Sequence, residues 1–272
     1  MTQTEDRLPM QDDHVEKPRK PRRGIYLLPN LLTTMGLFFG FYAMIAGINQ
    51  DFRMAAIAVF IAMVMDTLDG RVARLTNTQS DFGVQYDSLS DMVCFGLAPA
   101  LVVHQWMLGD MEGLGGVWIQ LGWIAAFTFA ACAALRLARF NTQAGVADKR
   151  YFQGLPSPAA AAGLASLVWL GEYLGVGPGY AASGFVIVVT LCTGLLMVSN
   201  IRYYSFKEFD FRYRVPFIMI VALVLAVAFL SLYPPVVLFA AFLVYAVSGP
   251  VMTIASRRRH RKELLRRRRA QS

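Results

Sequence analysis

Long apolar blocks constrain this chain more than any other feature. Eight runs, at approximately 29–48, 53–74, 84–107, 117–140, 157–174, 180–200, 215–232 and 235–255, each come close to the ~20 residues a helix needs to cross the hydrocarbon core of a bilayer. Inside lipid the backbone must satisfy its own hydrogen bonds, so only helices and closed barrels span. The runs lack the alternation of lipid-facing barrel strands. Composition agrees, with 56% hydrophobic residues and a mean hydropathy of +0.45. The expectation is an all-α fold, a polytopic transmembrane helical bundle of about eight spans over residues 25–255. Only the Pro234-Pro235 turn divides the seventh run from the eighth.

The flanks differ sharply from this domain. Residues 1–24 are polar, charged and proline-containing, and read as a disordered cytoplasmic arm. Residues 256–272 read as a basic cytoplasmic tail, folded as a helix along the membrane surface. The formal net charge of +8 is concentrated in KPRKPRRG at 17–24 and RRRHRKELLRRRR at 257–269. Nucleic-acid binding is one reading of such arms. Beside so many apolar runs, juxtamembrane segments that set topology and meet anionic headgroups explain them better, and no nucleic-acid partner is expected. Basic residues also crowd 136–150 and 202–214, whereas the alternate loops hold almost none, Arg53 being the edge exception. Eight spans with both termini on the basic, cytoplasmic side fit this asymmetry.

Cys94, Cys132 and Cys192 lie in or beside apolar segments without CxxC spacing, so they read as small buried hydrophobes. No cleavable signal peptide is expected, because about two dozen polar residues precede the first apolar run. Gly36 and Gly40 form a GxxxG in that run. Packing within one chain is the expected use of this spacing, and a homodimer the alternative.

Between the second and third runs stands MDTLDGRVARLTNTQSDFGVQYDSLSD, with five aspartates. Carboxylates are costly in a membrane and mark function there. On a helix, Asp66, Asp69, Gly70, Ala73 and Arg74 share one face, and so do Gly83, Asp87 and Asp91 on the next. The short turn between them lets the two acidic faces meet as an antiparallel pair. Four facing carboxylates repel without counter-charge. Hard divalent cations relieve that repulsion, and the absence of His and Cys from the stretch favours Mg²⁺ or Mn²⁺ over zinc or copper. Two such ions would clamp a pyrophosphate, with Arg74 to neutralise a phosphate. A proton or cation pathway through the carboxylates, as in a cation transporter, is the competing reading. Asp81 reads as a capping or solvated residue.

The pattern Asp66-x-x-Asp69-Gly70-x-x-Ala73-Arg74, eight residues, then Gly83-x-x-x-Asp87-x-x-x-Asp91 resembles, at every position, the signature of the CDP-alcohol phosphatidyltransferases. The resemblance implies a dimetal site at the cytoplasmic membrane boundary, holding two divalent cations, Mg²⁺ or Mn²⁺. It implies a metal site of Asp66, Asp69, Asp87 and Asp91, with Asp91 lying near the metal and acting also as the base, and a CDP site at Gly70, Ala73, Arg74 and Gly83. Further segments, LPNLLTTMGLFFGF at 28–41, ALRLARFN at 134–141, FQGLPSPAAAA at 152–162 and MVSNIRYYSFK at 197–207, are similar to the membrane-integral phosphatidylserine synthases of bacteria. That likeness implies an enzyme of the bacterial inner membrane with its active site on the cytoplasmic side. Its substrates would be CDP-diacylglycerol and L-serine, its products phosphatidylserine and CMP. Direct displacement is expected, with Asp91 taking the proton of the serine hydroxyl.

Arg136 and Arg139, at the cytoplasmic end of the fourth run and followed by Asn141, are the candidate acceptor or phosphate-binding residues, with snorkelling to headgroups as the alternative. Glycerol 3-phosphate, an inositol compound (free or phosphorylated) and choline are the competing acceptors. Pro156 and Pro158 read as a helix entry. Tyr203, Tyr204 and Tyr213 read as an interfacial aromatic belt, and His104 is assigned no chemistry.

Overall fold

The computed structural model describes residues 27–78, 80–108, 116–143, 151–177, 179–204 and 217–270. The arm at 1–24 and the loop residues 144–150 and 205–216, Tyr213 among them, lie outside the described residues. The described chain is helical apart from one short pair of strands. Helix α1 is Leu27–Ile48 and α2 is Phe52–Leu75. A continuous third rod follows, made of α3 (Asp81–Asp91), a π-helical turn (Met92–Leu97), α4 (Ala98–Val103) and a second π-helical turn (His104–Leu108). Then come α5 (Gly116–Gln143), β1 (Tyr151–Gln153), α6 (Ser157–Leu174), α7 (Tyr180–Val198), β2 (Arg202–Tyr204), α8 (Phe217–Leu232) and α9 (Pro234–Ala270).

Local chemistry explains these boundaries. Asp51 caps α2 by accepting from the Met54 N–H at 3.1 Å, and Ser80 caps α3 by accepting from the Gly83 N–H at 3.0 Å. Pro158 sits in the first turn of α6, where a missing N–H costs nothing. The plain helix-entry role expected of Pro156 and Pro158 is what the fold displays. Gly175 ends α6 in the left-handed conformation, φ 65°. Pro99 lacks the N–H that would close a turn onto the third rod, and the preceding π-helical turn absorbs the defect.

Small residues let the helices approach closely. A Cβ on Gly36 would stand 3.6 Å from Met65 Cβ of α2, and one on Gly40 only 2.7 Å from Cys94 Sγ of the third rod. Within one chain, then, the GxxxG face is already occupied. Helix α6 is well enclosed, with Ala160, Ala161, Leu164, Ala165 and Val168 buried. On the outside, Phe38, Phe41, Trp123, Phe127, Leu195 and Val244 are exposed. In water such an apolar surface would be a liability, whereas lipid is its natural solvent.

Among the described residues five helices are long and apolar enough to cross a membrane: Leu27–Ile48, Asp81–Trp106, Gly116–Thr142, Tyr180–Val198 and Pro234–Ile254. The protein is therefore an integral membrane protein. Helix α2 is 24 residues long, but carries Asp66, Asp69, Arg71 and Arg74 in its C-terminal part. Helices α6 and α8 are shorter, at 18 and 16 residues.

Three features depart from the sequence reading. The third run is interrupted by two π-helical turns. Helix α9 continues from its apolar part to Ala270 without a break at 255–256. And β1 pairs with β2 in an antiparallel ladder, Tyr151 opposite Tyr204 and Gln153 opposite Arg202, where only loops were expected. The ladder also corrects the reading of Tyr203 as an interfacial aromatic. Its ring is fully buried against Gly249 of α9, and its hydroxyl donates to the Ala246 carbonyl at 3.0 Å. Burial pushes that hydroxyl's pKa up to about 12.

Candidate metal centre

Two helix ends build the centre. Asp66 and Asp69 stand one turn apart in the C-terminal half of α2, and Asp87 stands one turn before Asp91 at the end of α3. Helical spacing turns each pair to a single side. The Thr76–Ser80 connection is short, so the faces meet. Asp66, Asp69 and Asp87 each offer a carboxylate oxygen, and these oxygens all lie within 4.8 Å of one another. Asp91 stands outside this trio, with its carboxyl group hydrogen-bonded to that of Asp66.

Surrounding groups hold some of these oxygens and leave others open. The buried Thr33 hydroxyl of α1 donates to Asp69 Oδ2 at 2.6 Å, and the Gly70 N–H donates to the same carboxylate. Asp87 Oδ1 is buried with no hydrogen-bond partner. A buried acceptor left unpaired costs about 1–3 kcal/mol, more if charged. A cation among the three carboxylates would remove that cost. An all-oxygen donor set suits Mg²⁺ or Mn²⁺. Nearby Cys94 is occupied elsewhere, its thiol donating to the Gly36 carbonyl at 3.3 Å. The residues present thus fit a hard divalent cation.

The remaining signature residues flank the carboxylates. Gly70 is exposed, and a Cβ there would meet nothing within 4 Å, so the backbone is open to a ligand. Arg74 Nε donates to the Gly70 carbonyl at 2.9 Å, which lays its guanidinium along the same exposed side. Ala73 is half-buried and its carbonyl closes the end of α2 by accepting from the Thr78 N–H at 3.1 Å. At Gly83 a Cβ would stand 3.2 Å from Ser80 Oγ and 3.5 Å from Asn30 Oδ1. Gly83 is therefore where α3 passes close to the start of α1.

The structure separates the three candidate acceptor residues. Arg136 is half-buried; its Nη1 donates to Ser157 Oγ at 2.9 Å, and its buried Nε has no partner. It lies within Coulombic reach of Asp91 and of Tyr245 on α9. Arg139 instead reaches the strands. Its Nη2 donates to Gln153 Oε1 and Asn200 Oδ1, both at 2.7 Å, and its Nη1 to the Val198 carbonyl at 3.3 Å. Asn141 Nδ2 donates to Ser88 Oγ at 3.0 Å, tying the end of α5 to α3.

Sequence reasoning missed Thr33, Ser157, Tyr245, Asn200 and Gly154. Four of these become visible only through contacts between distant segments. Gly154 had a local signal, a glycine between a short aromatic run and a proline pair. Its φ is 79°, its N–H donates to the Ile201 carbonyl at 2.8 Å, and a Cβ would stand 2.1 Å from the Met197 carbonyl oxygen.

Comparison with known proteins agrees with this geometry. The profile of the family described as "CDP-alcohol phosphatidyltransferase" matches residues 26–199. A CDP-diacylglycerol–serine O-phosphatidyltransferase of Helicobacter pylori (strain 26695) is 36% identical over 203 residues, covering 75% of this chain and 82% of that protein. Its namesake from Mycobacterium tuberculosis (strain H37Rv) is 35% identical over 196 residues, covering 69% of this chain and 64% of that protein. An archaetidylserine synthase of Methanothermobacter thermautotrophicus is 32% identical over 178 residues, covering 65% of this chain and 69% of that protein. The matched region contains every carboxylate of the centre, and by this measure the chain belongs to the CDP-alcohol phosphatidyltransferase family.

Proposed function

We propose that this protein transfers the phosphatidyl group of CDP-diacylglycerol to the hydroxyl of L-serine, giving phosphatidylserine and CMP. The observation that carries the proposal is the convergence of Asp66, Asp69 and Asp87 within 4.8 Å of one another, in a chain whose relatives bear the name of that activity. Asp66, Asp69 and Asp87 would hold the divalent cations, Mg²⁺ or Mn²⁺, with Asp91 beside them. Bound there, the cations neutralise the pyrophosphate and the charge that develops on the departing CMP.

The chain's own residues do the rest. The exposed backbone at Gly70, with Ala73, Gly83 and Arg74, receives the cytidine diphosphate. Arg136 anchors the acceptor's carboxylate: its Nε is unpartnered, and its charge faces Asp91. Asp91 accepts the proton of the serine hydroxyl at a carboxylate oxygen. The hydroxyl oxygen forms its new bond to the phosphorus that bears diacylglycerol, and the bond from that phosphorus to the CMP oxygen breaks. Arg139 and Asn141 support this pocket, with their side chains engaged by the strands and by α3.

Eight spans, with both termini and the carboxylates facing the cytoplasm across a bacterial inner membrane, are the topology that goes with this reading. The eight apolar runs and the alternation of basic segments in the sequence support it. The test is a panel of radiolabelled acceptors offered with CDP-diacylglycerol to the purified protein. Serine should be incorporated far faster than glycerol 3-phosphate, inositol, inositol phosphate or choline, and EDTA should stop it. Preference for another acceptor would overturn the serine assignment. Metal flux in proteoliposomes without lipid turnover would replace the transferase by a transporter.

A further inference from the structure

Thr33 lies outside the acidic stretch, yet it touches both halves of the centre. Its side chain donates to Asp69 Oδ2 on α2 at 2.6 Å, and its backbone carbonyl accepts from the buried Ser90 hydroxyl on α3 at 3.3 Å. A second acceptor for the Thr33 hydroxyl, the Pro29 carbonyl, is farther away at 3.1 Å. The single hydroxyl proton therefore goes to the carboxylate, where charge strengthens the bond. Thr33 and Asp69 are both buried, so water cannot take over either role. One turn on, Gly36 brings α1 against Met65 of α2, and its carbonyl accepts from Cys94 on the third rod. Thus α1 is the back wall against which both acidic helices are registered.

We propose that Thr33 is a positioning residue for the metal centre. Its hydroxyl fixes the rotation of the Asp69 carboxylate, and its carbonyl fixes α3, so that the oxygens of Asp66, Asp69 and Asp87 stay gathered before any cation arrives. The proposal rests on the metal-centre reading above. Partners that orient a ligating carboxylate commonly change metal affinity by about 10–100-fold when removed.

The test is Mn²⁺ binding to the full-length, metal-free protein in nanodiscs, followed by the electron paramagnetic resonance signal of free Mn²⁺. Thr33→Val keeps the volume and removes the hydroxyl, and should weaken Mn²⁺ binding about 10–100-fold. Thr33→Ser keeps the hydroxyl and should bind like the parent. The Val variant leaves the buried Asp69 Oδ2 without its donor, so its metal-free melting temperature should fall modestly, whereas that of Thr33→Ser should stay near the parent's. Equal Mn²⁺ affinity in the Val variant and the parent would overturn the inference alone. An equal loss of Mn²⁺ affinity and of metal-free melting temperature in Thr33→Ser, which keeps the hydroxyl, would make Thr33 a packing residue and would also overturn it. Absence of Mn²⁺ binding by the parent would remove the metal-centre reading, and this inference with it.

Discussion

Replacing Arg136 by methionine tests how the acceptor is chosen. The side chain is half-buried, Nη1 is held by Ser157 at 2.9 Å, and the buried Nε donates to nothing. A serine carboxylate docked on Nε would gain a charge-assisted hydrogen bond of about 1.5–3 kcal/mol. Its loss converts, at ~1.4 kcal/mol per decade, to roughly a 10- to 150-fold fall in kcat/KM for serine. The effect should appear mainly in the KM for serine, with that for CDP-diacylglycerol little changed. The decisive assay pairs serine with serinol, an analogue whose carboxylate is replaced by a hydroxymethyl group. The parent should prefer serine strongly, because a site built to pair a polar group rejects the analogue lacking it. In Arg136→Met the preference should collapse. Equal slowing of both acceptors, with the ratio intact, would refute the carboxylate-anchor argument. A rise confined to the KM for CDP-diacylglycerol would move Arg136 to the phosphates.

Other outcomes follow from the same geometry. Asp91→Asn should lower turnover by about 100-fold or more by removing the base, while Mn²⁺ binding persists, since Asp91 stands outside the close trio of carboxylates; Asp69→Asn should weaken Mn²⁺ binding itself. Gly154→Ala, with φ of 79° and a Cβ only 2.1 Å from the Met197 carbonyl oxygen, should destabilise the fold by about 1–3 kcal/mol from backbone strain alone, read as a lower melting temperature. Arg139→Ala and Asn200→Ala should each weaken serine binding, and the double variant should do little more than the worse single one, because the two residues share one 2.7 Å hydrogen bond. Full additivity in that cycle would argue against the Arg139 strut.

The bundle was legible because lipid leaves a chain few choices. A run of ~20 apolar residues in a bilayer must close its own hydrogen bonds, so run lengths alone mark the helices. The acidic faces were legible for a related reason: helical periodicity places Asp66 with Asp69, and Asp87 with Asp91, whatever packs around them. Periodicity is silent on contacts between elements. The sequence contains no sign that Thr33, 36 residues before Asp69, would hold that carboxylate, or that Arg136 and Arg139, one turn apart, would reach Ser157 and a strand pair respectively. The strands themselves are three residues long, too short for any periodic signal, and form only because their partners are brought alongside by α5, α6 and α7. Which side chains point at one another across helices is set by close packing of the whole bundle, down to glycines that admit a neighbour's sulfur or ring. That information exists only once the helices have docked.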